Sequence, residues 1–357
     1  MIIQKTENSR ISSFDPENYS FGDHFTDHMI ICEYENGAWG EAKLMPYGPL
    51  PFSPSNMAFN YGQACFEGMK AYKDSNDEVY LFRVNKNFER INKSAKRLAM
   101  PEIPEEVFVG GLKALMDIDR AWIPTGEGKS LYIRPLIFAT EEGLKARVSN
   151  KYMFAIVAAP ATSYYSAPVS VKISDYYSRA ASGGVGFAKA AGNYAASFYP
   201  TQLANEEGYE QIIWTDDSTH EYFEESGTMN VFVRIGDTIY TPPTSEKILD
   251  GVTRDSFITL AKHKGIDVRV EPIAVKDVLA AHKDGTLKEI WGVGTAVVTT
   301  AFKSFGYQGQ NFELPVLSEQ ESYALSLKKA LVDIQTNMAE DPFGWREKVE
   351  KDVLQTV

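Results

Sequence analysis

The chain has 357 residues, of which 44% are hydrophobic, and a chain of this length can form two domains with large cores. Its formal net charge of -12 argues against nucleic acid or an anionic membrane as a partner, because both bind basic protein surfaces. The two cysteines and five histidines follow no disulfide or zinc pattern, so neither a disulfide scaffold nor a metal is expected.

His24 and His28 have the i, i+4 spacing that can bind a metal on a helix, but residues 25–31 predict the beginning of a strand instead. The first residues contain no apolar core of signal-peptide length. The most apolar run, residues 152–161, is far shorter than the ~20 residues that a membrane span needs. We therefore expect a soluble, cytoplasmic protein.

Strands and helices are both predicted in the first half of the chain, which indicates a mixed α/β fold. Runs of apolar and aromatic residues predict strands over residues 29–34, 79–83, 130–138 and 152–159. A helix is predicted over residues 105–122, interrupted at Gly110-Gly111.

A further helix is predicted from Phe88 to Leu98, because Phe88, Ile91, Ala95 and Leu98 recur at helical spacing. Asn85 or Asn87 can cap it. Arg90 lies off this apolar stripe, and its position alone predicts a solvated side chain.

Tyr132 and Arg134 alternate with apolar residues in the predicted strand 130–138, so their side chains share one face. An arginine beside a tyrosine in an apolar strand suggests an anion or carboxylate partner. Prolines bound the aperiodic segment 160–168. We place the interdomain linker at residues 163–170, between a small N-terminal domain (1–162) and a large C-terminal domain (171–357).

Lys189 stands in a segment of small residues, 183–194, that includes four glycines. Glycines allow close approach of a backbone to a ligand, and a lysine amine desolvated in a pocket is a nucleophile that can form a Schiff base. A mobile surface loop with a solvated lysine is the alternative that this segment alone leaves open. The following helix, residues 193–207, contains Pro200, which should kink or split it.

Three more segments of the second half contain groups that could bind a charged ligand. Glu224 and Glu225 precede a small-residue turn that enters a strand, where a carboxylate could hold a heteroaromatic nitrogen protonated. Residues 250–256 form a glycine turn that begins a helix, and residues 289–296 form a strand that ends in Gly294-Thr295-Ala296; both turns can present N–H groups to an anion. A Ser318–Glu321 capping box is predicted to open a further helix.

A Schiff-base lysine, an acid for a ring nitrogen and two anion-binding turns are together the requirements of pyridoxal 5'-phosphate. Each signal is weak alone, and their joint occurrence points to this cofactor. At this level the sequence closely resembles the branched-chain amino-acid aminotransferases, of the class IV pyridoxal-phosphate-dependent family. The segments that carry the resemblance are Phe21-Gly22, Phe25–Met29, Phe66–Ala71, Leu131–Pro135, Lys189 with Gly192-Asn193-Tyr194, Glu225–Asn230 and Gly294-Thr295-Ala296.

The resemblance implies a two-domain α/β (α+β) fold with the cofactor between the domains, a homodimer, and transfer of the amino group of L-leucine, L-isoleucine or L-valine to 2-oxoglutarate. By this resemblance Lys189 would form the aldimine with the cofactor and carry the proton. The other implied cofactor-binding residues are Arg90 for the phosphate, Tyr194 for the ring hydroxyl, Glu225 for the ring nitrogen, and Val252, Thr253 and Thr295. The implied substrate-binding residues are Phe21, Tyr61, Phe66, Tyr132, Arg134, Thr228, Thr295 and Ala296.

The sequence alone leaves several alternative functions open. A D-amino-acid aminotransferase or an aminodeoxychorismate lyase of the same fold, and a non-catalytic relative that only binds the cofactor, share most of these signals. Some relatives carry a redox-linked Cys-x-x-Cys pair after Gly294-Thr295-Ala296, where this chain has Val297-Val298-Thr299-Thr300, so no thiol switch is expected.

Overall fold

The computed structural model describes residues 1–162 and 167–351 of the chain. The chain forms two compact units: unit 1 comprises Met1–Tyr164, Ala188–Ala191 and Asp333–Val357, and unit 2 comprises Tyr165–Phe187 and Gly192–Val332. Within the described ranges, no helix is long and apolar enough to cross a membrane.

The strands, in chain order, are β1 (Ile2–Ile3), β2 (His28–Glu35), β3 (Ala38–Trp39), β4 (Lys43–Pro46), β5 (Ala64–Phe66), β6 (Met69–Lys73), β7 (Val79–Phe82), β8 (Ser130–Ala139), β9 (Tyr152–Ala161), β10 (Val169–Ile173), β11 (Gln211–Thr215), β12 (Phe223–Ser226), β13 (Met229–Ile235), β14 (Thr238–Thr241), β15 (Val268–Val270), β16 (Leu287–Gly294), β17 (Val298–Tyr307), β18 (Gln310–Glu313) and β19 (Arg346–Val349). The helices are α1 (Met57–Tyr61), α2 (Val84–Arg97), α3 (Gly111–Ile118), α4 (Ala191–Glu206), α5 (Val252–His263), α6 (Val275–Lys283) and α7 (Tyr323–Gln335).

Unit 1 is built on a sheet with the strand order β1-β4-β2-β9-β8-β6-β7-β19, to which β3 adds beside β2 and β5 beside β8. The core includes apolar side chains of the central strands and of α2 and α3, among them Ile30, Leu131, Ile91 and Leu112. Close packing explains one of the two adjacent glycines of the predicted interruption, because a Cβ on Gly111 would lie 3.2 Å from Ile30 Cγ2.

Unit 2 is built on a sheet that closes on itself. The strand order is β12-β11-β10-β17-β16-β13-β14-β15, and β12 also pairs with β13, so six strands form a ring. Closure removes free strand edges from this ring. It also brings the ends of β12, β13 and β16 to neighbouring positions, which is where the predicted site residues of this unit lie.

The strands predicted by apolar runs are confirmed, with ends that differ by up to two residues. The predicted capping of α2 was wrong. The helix begins at Val84, so Asn87 is an internal residue, and it is buried, as is Arg90. These two polar side chains are buried because both bind the carboxylate of Glu67, a partner that helical periodicity does not reveal.

Pro200 does not split its helix, because α4 continues from Ala191 to Glu206 with the proline inside it. The side chain of Pro200 is buried, and the hydroxyl of Thr201 next to it donates to the carbonyl of Ser197. In the Ser318–Glu321 segment, the backbone N–H and hydroxyl of Ser318 donate to Glu321 Oε2, but α7 begins only at Tyr323.

The division into units differs from the predicted domains in two segments. Ala188–Ala191 and the end of the chain from Asp333 belong with unit 1, whereas the prediction placed both in a C-terminal domain. Strand pairing accounts for the second difference, because β19 pairs with β7. Residues 163–166 of the predicted linker 163–170 lie outside the described residues.

Candidate active site

Lys189 lies in a short segment that packs against β5 and α2 within unit 1. Ala190 forms a β-bridge with Cys65, and the Phe66 N–H donates to the Lys189 carbonyl at 3.1 Å. The Lys189 N–H in turn donates to Ser94 Oγ at 2.9 Å. The small side chains of the neighbouring alanines are buried, which lets the backbone of this segment lie directly on the strand.

Lys189 is half-buried, and its amine lies among charged and aromatic groups. Its Nζ lies 4.8 Å from the centre of the Phe66 ring. Burial lowers the pKa of Lys189 most, and the nearby charge of Arg90 lowers it further, while Glu67 acts in the opposite direction. The neutral, nucleophilic form of the amine is therefore favoured relative to a lysine in water.

Tyr132 and Arg134 share a face of β8, as predicted, since an Arg134 terminal nitrogen donates to Tyr132 Oη at 2.9 Å. The guanidinium carbon of Arg134 lies 4.4 Å from the centre of the Phe66 ring, and the Phe21 ring lies 5.1 Å from that of Tyr132. Arg134 Nε is buried and has no hydrogen-bond partner among the described residues. An anion or a carboxylate is the type of ligand that such a donor binds.

Gly68 is needed for the position of the tyrosine. A Cβ at this position would lie 3.1 Å from Tyr132 Cζ and would overlap the hydroxyl oxygen beyond it. Tyr61 lies at the surface, 42% exposed, where its hydroxyl donates to the carbonyl of Leu144.

Arg90 is buried, with 8% of its surface exposed, and forms a bidentate pair with the fully buried Glu67. The Arg90 Nε and one terminal nitrogen each lie 2.7 Å from a different oxygen of that carboxylate. The Lys189 amine and the guanidinium groups of Arg90 and Arg134 thus lie around Phe66 and Glu67. Two guanidinium groups beside one carboxylate leave an excess of positive charge, which suits an anionic ligand such as a phosphate.

In unit 2, Glu225 is buried near the end of β12, and both of its carboxyl oxygens have polar partners. Its Oε1 accepts from the Leu249 N–H at 2.8 Å and from Asn230 Nδ2 at 3.3 Å. Its Oε2 lies 2.9 Å from Nε of the buried Arg179. Hydrogen bonds and a nearby cation favour the ionised form, which is the form that can keep a ring nitrogen protonated.

Glu224, the other carboxylate of this pair, has a structural role. Its Oε1 lies 2.7 Å from Nζ of Lys247, which also contacts Asp217 at 2.9 Å. Burial raises the pKa of Glu224. The carbonyl of Lys247 accepts a hydrogen bond from Arg179, so this lysine connects both carboxylates to the loop before α5.

The glycine turn before α5 packs closely on Asn230. Asn230 Nδ2 donates to the Leu249 carbonyl at 2.9 Å, and a Cβ on Gly251 would overlap Asn230 Oδ1. Val252 and Thr253 are the first two residues of α5, so their N–H groups are at the helix N-terminus, which favours anions. The same asparagine therefore connects Glu225 with this helix terminus.

Thr228 and the Thr295-Ala296 turn lie at the same end of two paired strands. The register aligns Asn230 with Val293, and a Cβ on Gly294 would lie 3.7 Å from the Thr228 carbonyl. Tyr194 lies in the first turn of α4 and is half-buried.

Gly186, three residues before Lys189, serves the packing of unit 2. A Cβ on Gly186 would lie 2.7 Å from the Lys247 carbonyl, and the Phe187 N–H donates to the Glu246 carbonyl at 3.0 Å. At Gly186, glycine thus allows two backbone segments to approach each other, whereas the sequence interpretation assigned the glycines to a ligand.

No role in the site was assigned from the sequence to the residues that hold the site residues in place, which are Glu67, Asn87, Ser94, Arg179, Asn230 and Lys247. Glu67 and Asn230 do stand in the segments that carry the family resemblance, which was the available signal. No group of three or more His, Cys, Asp or Glu residues that could hold a metal occurs in the described ranges, and His28 binds Asp119 and the Thr6 N–H.

Comparisons with known proteins identify the family. The family model of class IV amino-transferases matches residues 64–305, more than half of the chain. Branched-chain-amino-acid aminotransferase 2 of Bacillus subtilis is 42% identical over 339 residues, which cover 94% of this chain and 93% of that protein. The chain belongs to the class IV aminotransferases. A branched-chain-amino-acid aminotransferase of Mycolicibacterium smegmatis is 38% identical over 341 residues, 93% of this chain and 92% of that protein.

Solved structures of this family share the fold of the chain. The branched-chain aminotransferase of Thermoproteus uzoniensis has a TM-score of 0.75 and 22% identity, and the match covers 90% of this chain and 100% of that one. The branched-chain amino acid aminotransferase of Thermobaculum terrenum, solved in its PLP-form, has a TM-score of 0.73 and 18% identity, and the match covers 90% of this chain and 98% of that one.

Class IV aminotransferases depend on pyridoxal 5'-phosphate. The residues of this chain fit that cofactor in kind. The buried amine and cations of unit 1 and the ionised Glu225 of unit 2 are of the types that its aldehyde, phosphate and ring nitrogen require.

Proposed function

We propose that the protein transfers the amino group of L-leucine, L-isoleucine or L-valine to 2-oxoglutarate, producing the branched-chain 2-oxo acid and L-glutamate. The observation that supports this most directly is that Lys189 Nζ and the Arg134 guanidinium lie 4.8 Å and 4.4 Å from the centre of the Phe66 ring, in a chain that matches branched-chain aminotransferases over nearly its whole length. L-Leucine and 2-oxoglutarate are thus the substrates to test first.

The residues of unit 1 would bind the phosphate and move the proton. Arg90, held by Glu67, would bind the phosphate of the cofactor. Lys189 would hold the cofactor, and its amine would carry the proton that leaves the substrate Cα, because a neutral amine near its pKa can accept and return a proton. When bound, pyridoxal 5'-phosphate supplies the aldehyde that accepts the amino group and the ring that stabilises negative charge at the substrate Cα.

The residues of unit 2 would bind the ring and add phosphate contacts. Glu225 would keep the ring nitrogen protonated, since Leu249 and Arg179 hold the carboxylate in its ionised form. Tyr194 would donate to the ring hydroxyl. Further contacts to the phosphate would come from Val252 and Thr253 at the N-terminus of α5, and from Thr295 in the turn after β16.

The substrate groups would be divided between apolar walls and polar donors. Phe21, Phe66 and Tyr132, with Tyr61, would form the apolar walls for a branched side chain. Arg134, which has the unpartnered Nε, would bind a carboxylate. Thr228 and the Thr295-Ala296 turn would make further contacts with the substrate carboxylate, as the resemblance implies. We also propose that the enzyme is cytoplasmic and that it forms a homodimer. Light scattering of the purified protein tests the dimer.

Turnover of L-leucine with 2-oxoglutarate tests the reaction. We expect the purified protein to be yellow and to lose that absorbance with borohydride, leaving the label on Lys189. D-Alanine turned over in preference to L-leucine would overturn the substrate class. Protein that stays colourless after incubation with pyridoxal 5'-phosphate would overturn the whole proposal.

A further inference from the structure

Glu67 is a fully buried carboxylate of unit 1, and it takes no part in the proton transfer or the substrate binding proposed above. It is 0% exposed, between β5 and β6, and its own N–H donates to the Pro135 carbonyl at 2.7 Å. Its Oε2 accepts from the Gly68 N–H at 3.1 Å and from Asn87 Nδ2 at 2.7 Å. Burying a charge is costly unless it is paired and hydrogen-bonded, and both oxygens of this carboxylate have such partners.

The main partner is Arg90, which Glu67 holds by two parallel hydrogen bonds of 2.7 Å. A planar guanidinium bound through two of its nitrogens has a fixed orientation, because the fork cannot rotate without breaking both bonds. Arg90 is also anchored through its backbone, since Ser94 Oγ donates to the Arg90 carbonyl at 2.9 Å. The same Ser94 oxygen accepts from the Lys189 N–H, so the arginine and the lysine segment share one anchor.

We propose that Glu67 is a positioning residue for the transaminase site, because its carboxylate orients the Arg90 guanidinium for the cofactor phosphate. This inference rests on the proposed function. Glu67 also acts on Lys189 through charge: it is a negative group near an amine whose other neighbours include Arg90 and Arg134. Removing the carboxylate charge should therefore lower the pKa of Lys189 further.

The test compares two ligands that differ only in the phosphate group, pyridoxal 5'-phosphate and pyridoxal. Dissociation constants of both for the apoprotein are measured by equilibrium dialysis. In Glu67→Gln, which keeps the size of the side chain, we expect the affinity for pyridoxal 5'-phosphate to fall about tenfold or more, as for other residues that support a ligand-binding side chain. The ratio of the two affinities should fall with it, because pyridoxal has no phosphate for Arg90 to bind, whereas a changed pKa of Lys189 acts on both aldehydes alike.

Asp119→Asn is the matched control, because Asp119 is also a buried carboxylate of unit 1 and is paired with a different residue, His28 at 2.7 Å. It should destabilise the protein without changing the ratio of the two affinities. Asn87→Ala removes one hydrogen bond to Glu67 and leaves both charges, so it should lower the same ratio by less. This milder variant decides the matter if Glu67→Gln does not fold.

A second measurement follows the amine itself. The pH at which Lys189 of the apoprotein reacts with an amine reagent should be lower in Glu67→Gln than in the parent, and unchanged in Asp119→Asn. If Glu67→Gln, or Asn87→Ala in its place, lowers the affinities for both ligands equally, the residue is only structural and the inference is wrong. If the parent protein does not bind pyridoxal 5'-phosphate, the proposed function fails instead.

Discussion

Gly68→Ala should damage substrate binding through a single misplaced side chain. The new methyl group would lie 3.1 Å from Tyr132 Cζ and overlap the hydroxyl oxygen, so the ring must move by about 1 Å to restore normal contact. Tyr132 cannot move freely, because it is buried, binds Arg134 at 2.9 Å and packs on Phe21. We expect a loss of about 1–3 kcal/mol of stability from overpacking. A shift of this size at a substrate-binding group can lower kcat/KM for L-leucine by up to about 100-fold.

The matched control is Gly110→Ala, in the same unit. A Cβ at Gly110 meets nothing within 4 Å, and the φ of this residue is -62°, so alanine fits and should stabilise the protein by about 0.4–1 kcal/mol. Steady-state kinetics with L-leucine, with cofactor content measured by absorbance, separates the two variants. If Gly68→Ala retains the parent kcat/KM at full cofactor occupancy, Tyr132 does not define the substrate site and this reasoning is refuted.

Further predictions concern the amine, the α5 turn and the thiols. Lys189→Ala should abolish transamination of L-leucine while leaving the circular dichroism spectrum unchanged. The pKa of Lys189 in the folded apoprotein is lowered from 10.5, its value in the unfolded chain. At a pH between the folded and the unfolded pKa, the unfolded chain therefore holds a proton that the folded apoprotein lacks. Urea denaturation should then show that the parent gains stability relative to Lys189→Ala as the pH rises through that window. Gly251→Ala should displace Asn230 and weaken cofactor binding measured by dialysis, and an unchanged dissociation constant would contradict the assignment of that turn. Burial raises the pKa of Cys32 to about 11 and of Cys65 to about 12, so a thiol reagent or mild oxidant at neutral pH should leave activity intact, and reversible inactivation would contradict this.

Local pattern was sufficient for β2, β7, β8 and β9 and for the shared face of Tyr132 and Arg134. Alternation and apolar runs are short-range properties of the chain, and the pleat of a strand converts them directly into side-chain direction. The family resemblance went further, since it selected Lys189 and Arg90, which the structure places in one buried group. Which residues support them depends on packing between distant segments.

The burial of Arg90 shows what a pattern within one helix cannot predict. Helical spacing around Ile91 and Ala95 correctly predicts an apolar stripe, and it leaves Arg90 outside that stripe. The arginine is buried because Glu67, 23 residues earlier, is delivered to the same place by the turn between β5 and β6. A pattern within one helix contains no information about that partner, whose position depends on sheet pairing.

The electrostatics of unit 1 connect the composition of the chain with its chemistry. A protein with a net charge of -12 can bind an anion only where cations are gathered and water is excluded, and Lys189, Arg90 and Arg134 form such a group. Without a ligand, the desolvation of these charged groups would destabilise the folded protein, and Glu67 offsets part of that free-energy cost with two hydrogen bonds to Arg90. The compensation is partial, because one carboxylate is set against the two guanidinium groups of Arg90 and Arg134. The remaining positive charge favours a phosphate or carboxylate over a neutral ligand, and it also favours the unprotonated form of the Lys189 amine. In the proposed function, the same imbalance of charge would both bind the cofactor anion and prepare the nucleophile.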